Sequence, residues 1–106
     1  MKTIEEWYSL LCDLTANTEY DVIIKKDISH PVVAIVPKWH DNPQRIAIYP
    51  KKTKSPGLVI EKDIFFNSKI QAIFGEEDRE HGNRPHVNNV SEHVVINVCK
   101  AFLHKN

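Results

Sequence analysis

Glycine is scarce in this chain, with three in 106 residues, and Gly57, Gly75 and Gly82 stand apart from one another. A phosphate-cradling loop needs glycines close together, so that architecture is excluded. Cysteine is sparser still. Cys12 and Cys99 sit near opposite ends, which excludes a disulfide scaffold and the paired cysteines of a structural zinc site. Both lie in apolar patterns, where buried free thiols and a reducing cytoplasm are expected, with a single disulfide joining the terminal segments as the alternative. Charge of either sign is not in excess, because 14 Lys and Arg balance 14 Asp and Glu. General nucleic-acid binding, which relies on surplus positive charge facing phosphates, is thereby disfavoured. No apolar run approaches the roughly 18 residues that span a bilayer. The opening "MKTIEEWYSLLCDL" is interrupted by Glu5, Glu6 and Asp13, unlike a secretory signal. A cytoplasmic protein without membrane contact is expected.

What is present is the composition of an ordinary globular protein, 42% hydrophobic and 26% charged. Its length suits a single domain over residues 1–106 with a modest core. Charge is unevenly spread despite the balance. Residues 21–62 carry eight bases against four acids, whereas residues 63–92 carry six acids against three bases. Local fields of both signs follow.

Thr3 and Glu6 have capping-box spacing, and Ile4, Trp7, Tyr8, Leu11 and Leu14 recur at helical intervals, predicting an amphipathic helix over 3–16. "YDVIIKK" (20–26), "PVVAIVP" (31–37) and "QRIAIYP" (44–50) are short, β-branched and bounded by turn formers. They predict an antiparallel meander, with "LVIE" (58–61) as a further strand. Phe66, Ile70, Ile73 and Phe74 predict a helix over 64–74, stopped by Gly75, with "LVIEKDIFF" as one longer strand the alternative. Ser91, Val95, Val98, Cys99 and Phe102 share a face of a last helix over 91–104, with Ser91 as its cap. The expected fold is α+β. A small antiparallel sheet of three to four strands would carry the N-terminal and C-terminal helices on one face.

Candidate sites are few. There is no G-x-S-x-G elbow and no catalytic-cysteine signature, so no catalytic residue is assigned. His81 and His86 have a spacing found among zinc ligands, with His93, Asp78 and Glu80 nearby. Three solvated histidines in a polar loop are the preferred reading, with no metal and no cofactor. Glu61, Lys62 and Asp63, with Asp21, resemble the carboxylates of a nuclease only loosely. Adjacent strand residues would point to opposite faces. Trp39, His40 and Asp41 occupy a polar loop between two predicted strands. Trp39 is there either a binding anchor or a ring folded back over the sheet edge. Glu76, Glu77, Asp78 and Glu80 form an acidic run able to meet a basic partner.

The expectation is a small cytoplasmic protein-binding inhibitor of the immunity-protein, antitoxin or anti-defence type. It would block a protein partner, such as a basic toxin or nuclease, through the acidic loop and the Trp39 loop. The alternative is a histidine- or metal-dependent hydrolase acting on nucleotides or nucleic acid, using His81, His86 and His93. RNA binding through Lys25, Lys26, Lys51, Lys52, Lys54 and Tyr49 is a third reading, weakened by the zero net charge.

Overall fold

Thr3 and Glu6 do what their spacing predicts. The Thr3 hydroxyl accepts the Glu6 N–H at 3.1 Å, and the Glu6 carboxylate accepts the Thr3 N–H at 2.8 Å. The Thr3 backbone bond, then the hydroxyl, hold the Glu6 carboxyl below the usual carboxylate range. Helix α1 runs from there over Ile4–Thr15. It buries Trp7 and Leu11, with Ile4, Tyr8 and Leu14 half-buried beside them. At its end the Thr15 hydroxyl donates back to the Leu11 carbonyl at 2.8 Å, and Asn17 turns the chain with φ 63°.

The computed structural model describes residues 1–74 and 84–104. Strands β1 (Tyr20–Lys25), β2 (Val32–Pro37), β3 (Ile46–Tyr49), β4 (Gly57–Ile60) and β5 (His86–Val87) form one antiparallel sheet in chain order. The expected count of three to four strands is thus corrected to five. β5 is two residues long and lies in a polar stretch, so it carries almost no periodic signal. Backbone bonds fix it, with Ile60 N–H donating to Pro85 C=O at 3.1 Å and Val90 N–H to Pro56 C=O at 3.0 Å.

Register assigns every strand residue to a face. Val22 pairs with Ile35, Ile35 with Ile46, and Ile46 with Ile60; Leu58 pairs with Val87. These residues cluster with Trp7, Leu11, Phe65, Ile70, Val95 and Val98 from the helices in the main core. The alternate residues Val32, Ala34, Ala47 and Val59 form a second, smaller cluster with Ile23 and Tyr49. β2 is therefore apolar on both sides, which explains its unbroken "VVAIV" run.

The helix expected over 64–74 is two helices, α2 (Lys62–Phe65) and α3 (Ser68–Phe74). Asn67 makes the break. Its side-chain oxygen accepts the Lys69 N–H at 2.9 Å, capping α3, while its own N–H ends α2 on the Ile64 carbonyl at 3.0 Å. Gln71 braces the bend by donating to the Phe65 carbonyl at 2.8 Å. Helix α4 spans Glu92–Leu103, as its pattern predicts. Ser91 precedes it in extended conformation, but its side chain makes no cap bond. Glu92 instead accepts the Lys2 N–H at 2.6 Å, tying the chain's start to α4. α4 lies against α3 and α1, and α1 against β1 and β2. No helix among the described residues is long and apolar enough to cross a membrane.

Both thiols are free, Cys12 half-buried and Cys99 buried. Burial alone pushes the Cys99 thiol up to about 12, so it stays protonated and unreactive at pH 8. With a thiol reagent added in excess to the native protein, Cys12 is expected to label first and Cys99 only as fast as the core opens. A single rapid phase accounting for both thiols would show that Cys99 is not enclosed.

Candidate functional site

At the far end of β2 the chain reverses through Pro37-Lys38-Trp39-His40, closed by the His40 N–H donating to the Pro37 carbonyl at 3.0 Å. The third position of such a turn takes positive φ and is normally Gly or Asn. Here it is Trp39, with φ 70°. Asp21, on the neighbouring strand, holds this conformation by accepting the Trp39 N–H at 3.2 Å, and Lys38 N–H reaches the Glu19 carbonyl at 3.0 Å. The indole is 85% exposed. Of the two readings open from the sequence, the ring folded over the sheet edge is therefore the wrong one. His40 and Asp41 follow it, also exposed. Asp21 bonds to the turn through its carboxylate, Glu19 through its backbone, and Asp41 follows in the chain, so the turn and its bonded neighbours carry more acids than bases.

Glu76, Glu77, Asp78, Glu80 and His81 lie outside the described residues. The solvated polar loop expected around His81 and His86 needs correction at its described end. Pro85 is buried, Arg84 is half-buried with its guanidinium donating to the Gln44 carbonyl, and His86 belongs to β5. The sheet claims these residues because β4 would otherwise present an unpaired edge. His86 stands opposite Val59 on the smaller-cluster face, whereas His93 is exposed on α4. They belong to different layers. Among the described residues no three His, Cys, Asp or Glu side chains gather as a metal site would require.

The acids Glu61 and Asp63 are not a free pair. Arg45 Nη1 lies 2.9 Å from Glu61 Oε1, out of line for a hydrogen bond, and Nη2 lies 3.8 Å from Asp63. The Arg45 guanidinium also sits 5.8 Å from the centroid of the Phe102 ring, which packs on Tyr20 at 4.9 Å. Glu61 and Arg45 are both mostly buried, so the cluster reads as a strut between β3, β4 and α4. Asp21 is engaged separately, at the Trp39 turn.

A second feature was not legible from spacing. On the smaller-cluster face, register aligns Lys25 with Val32 and Tyr49 with Gly57, and brings Asn88 beside Gly57. These five line a groove of about 480 Å³, together with Val59, His30, Lys51 and His86. Lys25, Lys51 and Tyr49 are drawn from the basic meander singled out in the sequence. Lys26 is not available to it, being paired with Glu5 at 2.9 Å. That bond raises the Lys26 ammonium and lowers the Glu5 carboxyl from their ordinary values.

Comparison with protein families, with characterised proteins and with solved structures found no match for this chain.

Proposed function

We propose that the protein acts by binding another protein, as an inhibitor of the immunity-protein, antitoxin or anti-defence type, and that the Trp39 turn is its anchor. The observation that carries this is a bulky indole held in a left-handed backbone conformation and left in water. A Trp with positive φ is strained by about 1–3 kcal/mol, and exposing so large an apolar ring forgoes its burial. The bond to Asp21 and the turn's own hydrogen bonds hold the backbone, but nothing among the described residues covers the ring. A partner that encloses the ring would supply that burial, and Trp is among the residue types that most often dominate such interfaces. Glu19, Asp21 and Asp41 around it suit a partner with a basic surface, such as a toxin or nuclease. Glu76, Glu77, Asp78 and Glu80, outside the described residues, suit the same kind of partner by their charge. The hydrolase alternative draws less support, since His86 and His93 occupy different layers.

The test is co-expression with proteins encoded beside it, followed by purification of the complex. A stoichiometric basic partner is expected, and Trp39→Ala should weaken the complex by about thirtyfold or more, the effect of losing a central aromatic anchor. The melting temperature of Trp39→Ala should stay close to that of the parent, because the residue is 85% exposed and alanine meets the same positive-φ cost as tryptophan. A complex indifferent to Trp39 would remove the basis of the proposal.

A further inference from the structure

The groove lies at the opposite end of β2 from the Trp39 turn, beside Val32 rather than Pro37, so it stands independently of the protein-binding reading. Its floor is apolar and recessed, made by Val32, Val59 and the side of Tyr49. Gly57 pairs with Tyr49 in the register and contributes no side chain, and the Asn88 amide lies against it, 3.5 Å from where a Cβ would stand. The rim is positive. Lys25 and Lys51 are exposed, and among the described residues neither is in an ion pair and no carboxylate lines the groove. His30 and His86 add imidazole donors, and Asn88 adds an amide.

An apolar floor with an aromatic ring, bounded by unneutralised cations, has two-part chemistry. The floor suits a flat ring, which can lie against Tyr49 and the valines. The lysines suit a phosphate, since charge-assisted bonds to phosphate oxygens are among the stronger ones available at a surface. An acidic peptide would match the rim but leave the floor unfilled. A volume of about 480 Å³ falls within the usual range of small-molecule sites. The geometry points to a free nucleotide as the ligand of this groove, its base on Tyr49 and its phosphates between Lys25 and Lys51.

Titration calorimetry with ADP, adenosine and pyrophosphate as separate probes tests this. ADP should bind one to one, with adenosine and pyrophosphate each weaker by about tenfold or more, because each satisfies only half of the site. The double variant Lys25→Gln/Lys51→Gln should weaken ADP by about tenfold or more. Lys52→Gln/Lys54→Gln, which removes the same charge just outside the groove, should leave ADP affinity within about twofold. Amide shifts of Gly57 and Asn88 on ADP addition would place the ligand on the floor. All four substituted lysines are exposed, so folding is not at risk. No ADP binding, pyrophosphate as tight as ADP, equal losses in the two double variants, or tighter binding of a short single-stranded RNA would each overturn the inference.

Discussion

Trp7→Ala is expected to destabilise the protein by about 3–5 kcal/mol, the range for emptying a buried large aromatic site. Trp7 is 1% exposed and sits in the main cluster where α1 meets β1 and β2. Lys2 reaches over its ring at 6.0 Å. The stability of a small domain totals about 5–15 kcal/mol, so the variant should have lost a large share of its reserve. Chemical denaturation followed by circular dichroism measures this directly. Trp7→Phe, which keeps an aromatic ring in the site, should recover much of the loss. An unchanged unfolding midpoint for Trp7→Ala would mean that α1 does not dock through this face.

Ile35→Ala should cost about 2–5 kcal/mol. Ile35 is fully buried on β2, flanked by Val22 and Ile46 in the register, with the helices above it. Ile23, on β1 and facing the other way, gives the informative comparison. It is half-buried in the smaller cluster, so Ile23→Ala removes less enclosed surface and should cost about half as much or less. Equal losses at the two positions would show that the smaller cluster contributes as much to stability as the helix-covered core. The comparison also bears on the nucleotide groove, which is built on that smaller-cluster face.

The element types were legible where local chemistry settles them. Thr3 and Glu6 mark the start of α1, and the i, i+3, i+4 recurrence of Trp7, Leu11 and their neighbours marks its buried stripe. The β-branched runs bounded by turn formers mark β1 to β4, each within two residues at either end. α4 was legible despite its Val94-Val95-Ile96 run, because burial of Val95, Val98 and Cys99 on one face outweighs the weak β preference of those residues. One further local signal is present in the sequence: Asn67, a natural N-cap, divides the helix expected over 64–74. The edge strand after Pro85 is two residues long and carries no such signal.

The candidate surfaces divide along the same line. That Trp39 belongs to a polar connection between strands follows from its neighbours in the chain. Whether its ring is covered does not, because that depends on a turn whose positive φ is held by Asp21, eighteen residues earlier. The groove was still less accessible. Lys25, Tyr49, Gly57 and Asn88 come from four strands or their ends, and only hydrogen-bonded register brings them into one row. A shift of one residue in any pairing would turn these side chains to the opposite face. The sequence by itself determined which segments become helix or strand and which side chains seek burial, because propensity, capping and periodicity act over a few residues. Tertiary structure alone decided that the basic and aromatic residues of the meander share a surface and that Trp39 stands free of it. Those outcomes depend on pairings between segments far apart in the chain.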